Sequence, residues 1–232
     1  MKITPIAIEP VILCWEERWN ARFEQTQMGL CEGKSVTRQT QETATSTLNI
    51  ISHSMAQTQR LGMRLGDLFR GGELILLEGQ LGTGKTTFTQ GLARGLGIDE
   101  VVNSPTFTLL KEYEGRPVDV PPEETGGNRA SEAARLPQAP RVSPPLYHFD
   151  LYRLDDPEEI LALGFEDYFF GSGVCVVEWA DKAKLLWPPD HLSIRIKMLS
   201  ETKRGLLFTA RGARYCTILE QFQKNTYATL SS

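Results

Sequence analysis

Three observations predict an α/β domain of three layers, with a mostly parallel sheet and antiparallel strands near its C-terminal end. An apolar run, Leu74 to Leu77, closes on Glu78 and leads through a glycine-rich turn into residues with helical spacing. Two further apolar runs, Leu146-Tyr-His-Phe149-Asp150 and Val174-Cys-Val-Val177-Glu178, each end in a carboxylate. Leu192, Ile194 and Ile196, then Leu206 and Phe208, alternate with polar residues as an antiparallel hairpin does.

In chain order, residues 1–45 carry Trp15 and Trp19 among charges and the polar stretch from Lys34 to Thr47, without a sustained period. They read as a poorly ordered extension, with the domain spanning 46–232; Met28 or Met55 is an alternative nearer the natural start. Order begins with Thr47 to Ile51. Ser54 then caps a helix, with Gln57 three residues later, Leu61, Leu65, Leu68 and Phe69 as its buried stripe, and Gly71-Gly72 as its end. After the Leu74 strand and the glycine-rich turn, Phe88, Leu92 and Leu96 form one apolar stripe, closed by Gly97. Ser104-Pro-Thr106 begins the next strand, either as a plain turn or as a phosphate-sensing segment. Residues 115–145, rich in Pro, Gly, Ala, Arg and Glu, predict an irregular loop inserted between two strands. Its Arg116, Arg129, Arg135 and Arg141 leave a lid open as an alternative to a solvated linker. Asp155-Asp-Pro-Glu-Glu159 reads as a solvated helix start, Lys203-Arg204 as a hairpin turn facing water more than any ligand, and Arg214 to Phe222 as a terminal helix.

Composition narrows the function classes. The chain has 232 residues, 41% of them hydrophobic, enough for one α/β domain with appended segments. Its 25 basic and 29 acidic residues give a net charge of -4, and no basic block interleaves with aromatics, which argues against strong nucleic-acid binding by this chain alone. Cys14, Cys31, Cys175 and Cys216 form no C-x-x-C pair, and His53, His148 and His191 show no metal-ligand spacing. The cysteine pattern, the short apolar stretches and the lack of a signal-peptide pattern predict a cytoplasmic protein with no membrane association.

The chemistry concentrates in Gly79-Gln-Leu-Gly82-Thr-Gly84-Lys85-Thr86, a full G-x-x-x-x-G-K-[ST] phosphate-binding loop lying between strand and helix, as the motif requires. It makes the expected fold P-loop NTPase-like and predicts a nucleoside triphosphate bound with magnesium. Glycines bring backbone N–H groups close to phosphate oxygens, and the helix N-terminus favours their negative charge. Lys85 reaches the terminal phosphates and the Thr86 hydroxyl binds magnesium. In a parallel sheet the C-terminal strand ends converge on the ligand crevice. Asp150 and Glu178 thus face the same phosphates, one holding magnesium, the other orienting or deprotonating the attacking water. His148, inside an apolar strand, reads as a core histidine more than a base; Trp179 either packs or walls the crevice from a loop.

The phosphate loop through Thr87, Ser104-Pro-Thr-Phe-Thr-Leu109, Tyr147-His-Phe-Asp-Leu-Tyr-Arg-Leu154, Gly164-Phe-Glu-Asp-Tyr168 and Val177-Glu-Trp179 together closely resemble the TsaE family. These are the small ATPases of bacterial threonylcarbamoyladenosine tRNA modification. The resemblance covers about residues 46 to 225 and leaves out the extension and the 115–145 loop. It implies an ATPase that binds ATP or ADP with magnesium and hydrolyses ATP to support turnover by its partners TsaB and TsaD, meeting tRNA only through that complex. By matching positions it assigns nucleotide contacts to Leu81, Gly82, Thr83, Gly84, Lys85, Thr86 and Thr87, and magnesium to Thr86 and Glu178. It also makes Asp150 an essential catalytic acid or base and places Trp179 beside the nucleotide. A small-molecule kinase and a nucleotide-dependent switch or binding module are the alternatives.

Overall fold

The computed structural model describes residues 44–118, 141–154, 156, 159–160 and 164–228. Residues 1–43 of the expected extension, Asp155, Pro157 and Glu158 of the expected helix start, and the interior of the 115–145 loop, with Arg129 and Arg135, lie outside them.

Strand β1 (Thr45–Ser52) leads into helix α1 (Met55–Gly66), whose start is fixed as expected. The Ser54 hydroxyl accepts from Gln57 N at 3.1 Å, and Gln57 Oε1 accepts from His53 N at 2.8 Å, so two otherwise unpaired amides are satisfied. The helix stops at Gly66, sooner than the stripe suggested: Leu68 and Phe69 bond back only three residues, to Leu65 and Gly66, in a tighter turn. Phe69 is nonetheless buried, as are Leu61 and Leu65, while Leu68 is half-buried.

Strand β2 (Leu74–Glu78) feeds the glycine-rich loop and helix α2 (Lys85–Gly95). Strands β3 (Leu110–Tyr113), β4 (Pro117–Val118), β5 (Arg141–Val142) and β6 (Leu146–Asp150) follow, then the short helix α3 (Glu166–Phe169) and strand β7 (Val174–Glu178). A 3-10 segment, Ala180–Leu186, strands β8 (His191–Met198) and β9 (Arg204–Arg211), and helix α4 (Ala213–Ala228) complete the order. Seven strands form one sheet in the order β1-β9-β8-β2-β7-β6-β3.

The expectation of a mostly parallel sheet is corrected here. β6, β7, β2 and β8 are parallel neighbours, whereas β8-β9, β9-β1 and β3-β6 are antiparallel, so the sheet is evenly mixed. β8 and β9 make the expected hairpin; β1 adds to its outer edge, and β3 turns back on β6 because the 115–145 segment joins them as a hairpin connection. Inside that segment β4 and β5 pair in a ladder of their own. Ser104-Pro-Thr106 does not begin a strand either. Thr108 and Leu109 amides return to the Pro105 carbonyl, closing a turn, and β3 starts only at Leu110.

Alternation along the central strands feeds two cores. Ile75, Leu77, Val176 and Ile194 face α1, α2 and α4, meeting Leu65, Phe88, Leu92 and Phe222. Leu74, Leu76, Phe149 and Val177 face the other way, onto Phe165, Ala180, Ala183 and Leu186. Three layers result, the last one thin. At the base of β2, buried Glu73 pairs with Arg214 and accepts from the Gly71 amide at 2.8 Å, while Tyr215 Oη accepts from Leu74 N.

Helix α2, which carries Lys85 and Thr86, is held to α1 by backbone contact. Gly62 and Gly66 of α1 face Gly91 and Gly95 of α2; a Cβ would meet Phe88 O at 2.3 Å from Gly62 and Gln59 O at 2.0 Å from Gly91. No flexible side chain stands in these places to give way. Gly91→Ala is therefore expected to destabilise the fold by about 1–3 kcal/mol through overpacking. A lower urea midpoint at unchanged slope is the expected reading, and a midpoint equal to the parent contradicts the crossing geometry.

Candidate functional site

The glycine-rich loop takes its shape from the backbone. Gly84 caps α2 at φ +103, a left-handed conformation open to glycine, and Gly79 sits where a Cβ would come within 2.4 Å of Ile196 O on β8. The turn thus lies tight against the sheet, with the amide end of α2 directed into a cleft of 360 Å³. Arg204, expected to face water, instead reaches this loop: its Nε donates to Thr83 O at 3.0 Å while Nη1 ties the Ser200–Lys203 turn.

Lys85 is 4% exposed, and its ammonium donates to Gly79 O at 2.7 Å and Gln80 O at 3.0 Å. Burial pushes its pKa below the ordinary lysine range, against the opposing pull of Glu178, Asp150 and Asp181. The same ammonium lies 3.9 Å from the centre of the Trp179 ring.

The two strand-end acids meet as the parallel register dictates: Asp150 and Glu178 are paired positions on β6 and β7, each 2% exposed. Glu178 Oε2 accepts from Thr86 Oγ1 at 3.1 Å, joining the two expected magnesium ligands across the cleft. Asp150 Oδ2 accepts from Ser104 Oγ at 2.6 Å and Thr106 Oγ1 at 2.7 Å, and Oδ1 accepts from Tyr152 N at 2.9 Å. The turn that replaced the expected strand is what delivers these two hydroxyls. His148 is buried as expected, yet its Nε2 stands 2.9 Å from Glu178 Oε1.

Trp179 leaves the strand direction at φ +60, ψ 35, so its ring turns to the cleft wall and rests 5.0 Å from the Tyr152 ring. Trp179 both lines the cleft and packs on the core beneath it. Leu81, Gly82, Gly84, Lys85, Thr86, Thr87, Asp150, Glu178 and Trp179 all line the cleft. Thr83 does not: it is 4% exposed, with its hydroxyl donating to Gln80 O at 2.9 Å. Ser104, Thr106 and Tyr152 line it in addition. Arg116 pairs with Asp99 and is not part of the wall.

These donors suit magnesium. Among the described residues no group of three or more His, Cys, Asp or Glu side chains is placed to cage a metal. Magnesium asks for less: it keeps several waters and takes one or two protein oxygens plus phosphate oxygens. The Thr86 hydroxyl and Glu178 carboxylate are oxygen ligands of that kind. No helix among the described residues is long and apolar enough to cross a membrane.

The family model described as "Threonylcarbamoyl adenosine biosynthesis protein TsaE" matches residues 52–121 and 135–206. A Bacillus subtilis (strain 168) protein named tRNA threonylcarbamoyladenosine biosynthesis protein TsaE is 40% identical over 154 residues, 66% of this chain and 80% of its own length. Its namesake from Treponema pallidum (strain Nichols) is 34% identical, covering 68% of this chain and 98% of its own. The crystal structure of Bacillus subtilis YdiB superposes with a TM-score of 0.59 at 32% identity, over 79% of this chain and 98% of that one. The family match spans more than half of the chain and contains the phosphate loop, both strand-end acids and Trp179, so the chain belongs to the TsaE family.

Proposed function

We propose that this chain is a magnesium-dependent ATPase of tRNA threonylcarbamoyladenosine modification, hydrolysing ATP in the cytoplasm to support turnover by TsaB and TsaD. On this reading residues 46–232 form the ATPase domain, with 1–45 and 115–145 appended to it. The observation that carries the reading is the convergence of Lys85, Thr86, Asp150 and Glu178 on one cleft at the C-terminal ends of parallel strands. TsaE family membership supplies the pathway, and the net charge of -4 fits a chain that leaves tRNA to its partners.

Phosphoryl transfer needs positioning and charge stabilisation more than covalent chemistry from the protein. Amides of the loop and the first turn of α2 receive the phosphate oxygens of ATP, and Lys85 exchanges the Gly79 and Gln80 carbonyls for the terminal phosphates. Thr86 and Glu178 would hold magnesium, which would neutralise charge developing on the phosphates. Asp150 keeps its orientation through Ser104, Thr106 and the Tyr152 amide, a fixed acceptor for a water aimed at the γ-phosphorus. The water oxygen bonds to phosphorus as the bond to the ADP oxygen breaks, and the water proton passes to Asp150, yielding ADP and inorganic phosphate. Trp179 and Tyr152 wall the cleft beside Lys85.

Phosphate release with and without TsaB and TsaD tests the reading: stimulation by the pair is expected, and indifference to them together with phosphorylation of a small acceptor would establish the kinase alternative. Lys85→Ala removes charged hydrogen bonds worth about 1.5–3 kcal/mol and is expected to weaken ATP affinity roughly 10- to 150-fold by calorimetry. Asp150→Ala is expected to leave ATP affinity within a few-fold and to lower turnover by roughly 100- to 10,000-fold. Turnover equal to the parent would remove Asp150 from the mechanism.

A further inference from the structure

We infer that His148 is a positioning residue that aims Glu178 at the cation, an inference that rests on the nucleotide reading of the cleft. The two oxygens of Glu178 are held by different elements: Oε2 by Thr86 at the start of α2, Oε1 by His148 on β6. His148 lies two residues before Asp150, on the same face of the same strand. It is fully buried, and its Nδ1 finds no hydrogen-bond partner among the described residues.

That orphan nitrogen fixes the chemistry. A proton on Nδ1 would bury an N–H with nothing to receive it, whereas a proton on Nε2 leaves Nδ1 as a bare acceptor and gives Glu178 a donor. The hydrogen bond to Glu178 is thus the one through which the imidazole acts. A histidine kept only for packing has no reason to aim that bond at the carboxylate facing Thr86. Without the donor, Glu178 Oε1 loses its partner in a buried setting, and the carboxylate turns from the direction that serves the metal.

Partners that orient a metal-binding carboxylate typically change metal affinity 10- to 100-fold. The test is the affinity of Mn2+, as a paramagnetic stand-in for magnesium, for the ADP complex of the full chain, read by electron paramagnetic resonance. ADP affinity without metal is measured in parallel. His148→Leu keeps bulk without a donor and is expected to weaken Mn2+ binding about 10-fold while metal-free ADP affinity holds. His148→Gln sets an amide N–H near the place of Nε2 and is expected to stay within about threefold of the parent, a rescue that a packing role would not produce. Parent-like Mn2+ affinity in a folded His148→Leu, or a loss in His148→Gln as large as that in His148→Leu, overturns the inference. Should His148→Leu not fold, His148→Met, which also lacks a donor, takes its place: a loss of Mn2+ affinity of about tenfold is expected, and parent-like affinity overturns the inference. A parent chain with no ADP-dependent Mn2+ site would fail at the nucleotide reading itself, and the inference would fall with it.

Discussion

The parallel pairing of β6 with β7, beside β2, is the constraint on which the rest of the site depends. Parallel strands end on the same side, so two acidic residues at the last positions of neighbouring strands sit on strands about 4.8 Å apart and face the same end of the sheet. The register Asp150↔Glu178 meets that condition, and β2 delivers the phosphate loop from the next position in the same sheet. A slip of one residue in either strand would send one acid to the opposite face. The apolar residues of β6 and β7 prevent it, since Val176 and Val177 serve opposite cores and each is buried where it lies.

Bringing Lys85, Asp150, Glu178 and His148 out of water is costly, and the structure offsets that cost with specific partners. Asp150 collects two hydroxyls and an amide, Glu178 a hydroxyl and an imidazole, and Lys85 two loop carbonyls. Such a network is only as exact as its supports. Here they are a strand pair buried on both faces, a helix held through glycines to α1, and Arg204 reaching across from the β8-β9 turn to brace Thr83 O. On the proposed reading the Asp150 and Glu178 carboxylates are held in place before the ligand arrives, while Lys85 still has to exchange its loop carbonyls for phosphate.

Much of this was legible in the sequence because it is local. The phosphate loop, the Ser54–Gln57 cap and the Phe88–Leu92–Leu96 stripe are written within a few residues, and the acids at strand ends follow from apolar runs that stop. What was not legible depends on contacts distant in the chain. The direction of β3 is set by its pairing with β6, across an insertion whose length hides the hairpin. Arg204 and Thr83 are 121 positions apart, and nothing near Arg204 signals a carbonyl awaiting it. The spacing Gly62–Gly66 and Gly91–Gly95 was present, but only the facing of α1 and α2 gives it meaning. Likewise Pro105 marked a turn, while the aim of the Ser104 and Thr106 hydroxyls at Asp150 needed the fold.

Whether one cleft holds ATP and magnesium for attack by water can be read from a crystal structure of the chain with magnesium, ADP and aluminium fluoride. Lys85 Nζ is expected on the phosphate and fluoride ligands and away from the Gly79 and Gln80 carbonyls, the metal between Thr86 and Glu178, and Asp150 within hydrogen-bond reach of the in-line water. A nucleotide bound outside this cleft, or a metal without Thr86 and Glu178 around it, would contradict the proposed function.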